Sequence, residues 1–218
     1  PTGIDFSPDG KIAYVIDFLN HRTMRWTASG AVLPVALAKV AEDDSLGQPV
    51  MLDSMVTVTG IVTVGGEFGY NGPAYIQNED GSVGLAVYDH SVADSVKLGD
   101  QIAVTGKVGF FRGLSQIIEV TAFQVISEVT APEPMEIDCA ALADTVGEDL
   151  EGILVSIKGI TADATEFPAS GGTITISDAS GTATLYIDKD TDVAGLSIDN
   201  PTFDVVGVIG QYDSESPY

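Results

Sequence analysis

The chain has 218 residues, enough for one large domain or two small ones, and 44% of them are hydrophobic, so a packed core can form and disorder is excluded. Nine Lys and Arg face 32 Asp and Glu, a net charge of −23, and such a surface repels polyanions and is poor in the cations that hold nucleic-acid backbones. The single cysteine, Cys139, rules out an internal disulfide, and no apolar run reaches the length of a membrane-spanning helix.

Twenty-four glycines with abundant Val, Thr and Ile favour strands and tight turns over helices. The charge is unevenly placed. Residues 1–30 carry Lys11, Arg22 and Arg25 against Asp5, Asp9 and Asp17, so the whole acidic excess lies in residues 31–218. Pro1 is not an initiator Met and no signal peptide is visible, so the chain is expected to start after processing or inside a longer protein. Residues 11–16 and 23–27 read as two strands, with turns at Pro8-Asp9-Gly10 and Asn20-His21. Pro1, Gly3, Asp9-Gly10, Tyr14-Val15, Asp17, Asn20 and Arg22 together resemble one blade motif of NHL-type β-propeller repeats, which occurs once. A lone blade cannot bury both faces of its sheet. The segment is therefore expected to follow an upstream propeller, to pack as a β-hairpin, or to add strands to a neighbouring subunit.

Residues 31–52 form a link: an apolar run at 35–40, the acidic triplet Glu42-Asp43-Asp44, then Gly47 and Pro49 turning the chain. From residue 54 onward, alternation predicts strands at 55–64, 74–77, 83–88, 101–110 and 117–127, with a glycine-rich turn after the first and a short connector, 91–96, after the third. The order repeats at 153–161, 173–177, 182–187 and 202–212, entered through residues 134–149, where 140–144 suit a short helical turn. MVTVTGIV at 55–62 has a close relative in LVSIKGIT at 154–161. Gly60 and Gly159 lie 99 positions apart and Gly106 and Gly207 lie 101 apart, offsets that point to a duplication. Glycine inside a strand marks a sharp bend or a bulge.

Three strands, a connector and two more strands is the order of the OB-fold, a partly open five-stranded barrel. VTVTGIV, YIQNEDGSVGLAVYD and KLGDQIAVTGKVGFFRG resemble the OB-like domains of bacterial secreted nucleases and cell-surface proteins, a resemblance that covers residues 35–218. It implies an all-β chain of two tandem OB-like Greek-key barrels, residues 31–130 and 131–218, behind a propeller-like β-hairpin at residues 1–30. It brings no catalytic residue with it. The second barrel has no counterpart of strand 117–127. Either the chain is cut short or its fifth strand comes from elsewhere, and an open barrel offers an unpaired edge to another strand.

No nucleophile motif, Walker loop or His/Cys metal spacing is present. His21 and His90 stand alone near turns and read as surface residues, while Cys139 reads as a small apolar side chain. Oxygen ligands suit calcium. Asp188, Asp190 and Asp192 alternate in DKDTD like the front half of a calcium loop, although Val193 stands where a glycine belongs and the distal Glu is missing. These three are the candidate metal ligands, and no other cofactor is expected. Single-stranded nucleic acids bind to aromatic side chains on strands with cationic neighbours. Tyr75, Tyr88, Phe110, Phe111 and Arg112 in the first half and Tyr186 in the second fit the aromatic part; the cations beside them, Lys97, Lys107, Lys158 and Lys189, are few.

The expectation is a non-catalytic extracellular or cell-surface protein that works through structure and interaction. It would be a self-assembling surface or fibre subunit joined by β-strand addition, with its own copies or other surface proteins as partners and no nucleic acid. The alternative is an accessory ligand- or nucleic-acid-binding module of a larger secreted hydrolase, a nuclease or phosphoesterase.

Overall fold

Alternating apolar and polar residues become strands along most of the chain. The computed structural model describes residues 3–6, 12–17, 22–27, 32, 34–69, 72–143 and 147–213. Strands make up 46% of it and helices 10%, so the class is all-β. Two units separate, residues 1–33 and 34–218.

In the first unit, β1 (Gly3–Phe6), β2 (Ile12–Asp17) and β3 (Arg22–Thr27) form an antiparallel sheet in the order β1-β2-β3. The reading of two strands is thus corrected to three: Gly3 lies opposite Ile16 and Phe6 opposite Ala13. A four-residue strand is too short to show its period in sequence alone. The proposed turn residues Pro8, Asp9, Gly10, Asn20 and His21 lie outside the described residues.

The second unit starts with a short helix, α1 (Leu37–Val40), whose two buried residues cap the core of a closed barrel. That barrel comprises β4 (Met55–Val64), β5 (Ala74–Gln77), β6 (Gly84–Val87), β7 (Asp100–Phe111) and β8 (Leu114–Glu128), in the closed order β4-β5-β6-β8-β7. β4 reaches round the barrel. Residues 55–61 pair with β7 and residues 61–64 with β5. Gly60 sits at the bend, where a Cβ would come within 2.9 Å of the Ile76 Cβ. Asn78 and Asp80 hold the β5–β6 turn by accepting the Val83 and Ser82 N–H groups at 2.9 and 3.0 Å. Between β6 and β7, α2 (His90–Ala93) is capped by Asp89, which accepts the Ser91 and Val92 N–H groups. β7 and β8 meet through Arg112 and Gly113, both at positive φ, as a two-residue hairpin turn demands. β8 closes the barrel by pairing antiparallel with β7 and parallel with β6. Val56, Val58, Val62, Ile76, Val87, Ile102, Val104 and Ile117 fill the interior at 0–1% exposure. Each such side chain contributes about 1.5–3 kcal/mol.

The second half repeats this register. β9 (Met135–Ile137) runs parallel to β10 (Leu154–Ala162), with Glu136 opposite Ser156; in the first half Pro34 stands parallel to Thr57. A 3₁₀ helix, Cys139–Leu142, follows β9 as α1 follows Pro34. β11 (Gly172–Ser177) and β12 (Thr182–Ile187) form a hairpin, and β13 (Phe203–Val208) pairs with β10. Gly207 faces Val155 as Gly106 faces Val56. The second glycine pair is different in kind. β10 carries a bulge between Ile157 and Ile160, so that Ile160 takes the register place of Gly60 while Gly159 is the extra residue at φ +60°.

Two elements depart from the expectation. β9 is too short to be read from its pattern. The last strand ends at Val208, not at residue 212; Ile209 still bonds to Gly152 and Ile153, and beyond it the Asp213 N–H bonds to the Arg112 carbonyl. The second sheet has the order β12-β11-β10-β13 and, among the described residues, does not close into a barrel.

Candidate functional site

Three surfaces of the second unit combine chemistry with shape. The first is the junction between its halves. Gly84 and Gly152 approach backbone to backbone, where a Cβ on either would lie within 3 Å of the other's main chain. Gln77, 1% exposed, bridges the halves: its amide nitrogen donates to the Gly81 carbonyl (2.9 Å) and its oxygen accepts the Leu154 N–H (3.0 Å). Val64, Tyr75 and Ala86 form a small core with Phe68, Leu114 and, from β13, Val208. Burial, with the Glu151 charge nearby, pushes the Tyr75 hydroxyl up to about 12. Tyr75 was a candidate for stacking on a base; at 5% exposure it is a junction residue instead.

The second surface is the tip of the β7–β8 hairpin. Phe111 (57% exposed) and Tyr212 (77% exposed) meet edge to face with ring centres 6.3 Å apart, and the Arg112 guanidinium lies 5.1 Å over the Tyr212 ring. The chain is pinned there by the Asp213 N–H donating to the Arg112 carbonyl at 2.7 Å. The Gln211 amide, with its nitrogen turned inward, donates to the Gly113 carbonyl at 3.1 Å and to Glu151. Phe111 and Arg112 were legible as an aromatic-cation pair. Tyr212 was hidden by its assignment to a strand, and the break at Ile209-Gly210 was the signal available.

The third is an open groove of about 800 Å³, lined on the first half by Glu42, Asp43 and Asp44 and on the second by Asp149 and Glu151. Partial burial raises the Asp43 carboxyl above the ordinary range, offset by the Ser115 hydroxyl that donates to it at 3.1 Å. Such a groove repels phosphates.

The candidate ligands of the DKDTD segment are not drawn together. Asp188 accepts the Asp190 N–H at 2.9 Å, Asp190 pairs with Lys189, and Asp192 is exposed. Among the described residues no three His, Cys, Asp or Glu side chains are arranged to hold a metal ion. The lysines named for a nucleic-acid face all pair with carboxylates: Lys97 with Glu128 (3.0 Å), Lys107 with Glu119, Lys158 with Asp204 (3.4 Å) and Lys189 with Asp190. Tyr88 and Tyr186 are exposed, 50% and 62%, at the ends of β6 and within β12. Phe110 is half-buried. Cys139 is buried, and burial, then the Asp178 charge, raises its thiol above its ordinary value. Asp178 itself is held well below the usual carboxylate range by the Ser180 hydroxyl and the Cys139 N–H, which makes it a cap. His90 pairs with Asp94 at 3.2 Å, and His21 lies outside the described residues.

No family model matches the chain, and no solved structure matches it. Among curated proteins it is similar to an endonuclease, YhcR, of Bacillus subtilis (strain 168), at 24% identity over 192 residues. The match takes in 83% of this chain and 15% of the endonuclease, so the chain spans a small part of the length of the relative it matches. It is thus a β-barrel chain distantly similar, over most of its length, to one segment of an endonuclease.

Proposed function

We propose that the chain is a non-catalytic interaction module of the kind found within a larger secreted nuclease or phosphoesterase, built from OB-like barrels. The coverage of the match carries this reading: most of this chain aligns with a small part of an endonuclease. The side chains support it. Phosphodiester hydrolysis needs an activated nucleophile with a poised base or metal. Here Asp178 is engaged as a cap, Cys139 is buried, and the described Lys residues are tied into ion pairs. The exposed cluster of Phe111, Arg112 and Tyr212 is the surface best fitted to touch a partner. An extracellular setting belongs to the same reading and rests on the resemblance to secreted domains.

The purified chain should leave single- and double-stranded DNA and RNA intact in the presence of magnesium, calcium or manganese. Cleavage that persists after re-purification to constant specific activity would make it an enzyme and end this reading. A second reading, a subunit that assembles with its own copies, is favoured by a separate observation: among the described residues, β12 and β13 each pair on one side only.

A further inference from the structure

β8 runs for 15 residues and is paired on both sides over little of that length. Its first part meets β6 at Gln116 and Ile117; from Ile118 to Glu128 it pairs, among the described residues, with β7 alone. This edge lies within the unbroken described stretch 72–143. An unpaired edge is a template for another strand, and proteins blunt such edges with Lys, Pro, charges or bulges. Residues 120–127, VTAFQVIS, hold no charge, Pro or Gly in a chain of net charge −23. The carboxylates that bracket them, Glu119 and Glu128, are held by Lys107 and Lys97 of β7. The bulges also lie at the two ends. Glu119 takes a positive φ beside one register shift, Ile126 is the extra residue of the other, and residues 122–125 pair with β7 without a shift. Val125 and Ile126 are 47% and 50% exposed.

We propose that the outer edge of β8 pairs antiparallel with the same edge of a second copy, about a two-fold axis through Gln124. The inference deepens the reading of assembly with its own copies and rests on it, and it places the joint on the closed barrel. Self-complementarity selects the occupant. On an antiparallel edge the main-chain groups point outward at every second residue, so opposed residues share parity and the axis passes through a residue. With Gln124 on the axis, Phe123 opposes Val125, Ala122 opposes Ile126 and Thr121 opposes Ser127. Apolar meets apolar, hydroxyl meets hydroxyl, and Glu119 and Glu128 oppose Val129 and Val120 rather than each other. An axis through Phe123 would set Thr121 against Val125 and Ala122 against Gln124; one through Val125 would set Phe123 against Ser127. Charge agrees. Two copies of so acidic a chain repel, and here they meet over an uncharged strand. Because one patch serves both partners, the contact closes at a dimer. An edge-to-edge joint buries little surface, so the dimer is weak and strengthens as salt screens the repulsion.

Gln124 is exposed and, on the axis, meets its own copy. Gln124→Lys sets two ammonium groups against each other and Gln124→Glu two carboxylates, whereas a mixture of the variants sets one against the other. In sedimentation of the full chain at low and high salt, the wild type should show a monomer–dimer equilibrium that moves toward dimer with salt. Each variant alone should melt like the wild type yet associate about fivefold or more weakly, and an equimolar mixture should recover the association. Gln124→Lys makes the chain less acidic, so its weaker association does not come from overall charge. Amide exchange over residues 119–128 should slow as the wild type is concentrated. Dimers untouched by either variant would leave assembly standing and overturn this joint. Weakening in both variants with no recovery in the mixture would overturn the axis at Gln124. A wild type that stays monomeric at high concentration and high salt would overturn the joint and the assembly reading together.

Discussion

Tyr75 shows how one side chain ties the two halves to pH. Its hydroxyl is raised to about 12 chiefly because burial penalises the charged form. In the unfolded chain it ionises near its ordinary value, about 10. The neutral form is thus favoured by folding, and the stability it lends is whole below about pH 10 and is lost as pH rises through the folded value. A shift of this size corresponds to about 3 kcal/mol. Tyr75→Phe removes the group, so urea midpoints compared at about pH 8 and about pH 11 should fall less in the variant than in the wild type. An equal fall in both would mean that Tyr75 does not report on the junction. The same residue shows why aromatic content misleads. The sequence offers Tyr75 and Tyr186 on equal terms, and tertiary packing buries one and exposes the other at 62%.

At the scale of elements, the strands were legible because alternation survives wherever one face is buried. β4 and β12 follow the expected bounds, and β5 does too. The glycines were legible as markers but not as mechanisms. Gly60 is needed for room, with Ile76 at 2.9 Å from a would-be Cβ, whereas Gly159 is needed for its left-handed backbone and faces open space. Alanine should destabilise at both sites, by about 1–3 kcal/mol through overpacking at residue 60 and about 1–2 kcal/mol through strain at residue 159. Asparagine separates the causes. It tolerates the left-handed region, so Gly159→Asn should recover much of the loss, while Gly60→Asn should be worse than Gly60→Ala. Equal responses to asparagine in chemical denaturation would refute the distinction between bend and bulge.

At the scale of the whole molecule, the second unit is held together by a polar bridge as well as by apolar contact. Gln77 satisfies the Leu154 N–H and the Gly81 carbonyl at a buried site. Gln77→Met keeps the volume but strands both groups, at about 1–3 kcal/mol each. Amide exchange at Leu154 should quicken while the β4–β7 ladder keeps its protection. Unchanged exchange at Leu154 would show that the bridge holds nothing. Acidity sets the wider behaviour: the groove of Glu42, Asp43, Asp44, Asp149 and Glu151 crosses the same junction, so both halves present one sign of charge to a partner.

By itself the sequence determined the all-β class and the strands of the closed barrel, because these rest on local periodicity and on turn residues that act over a few positions. It determined the acidic surface as well, since charge adds up without reference to shape. Only the tertiary structure decided that Tyr212 lands on Phe111 and Arg112, that Asp188, Asp190 and Asp192 are not drawn together, and that β8 beyond residue 117 pairs on one side only among the described residues. Those outcomes depend on which distant strands pair and which edge is left over. Pairing is fixed by the burial of whole faces, a sum over residues a hundred positions apart, and no local pattern contains it.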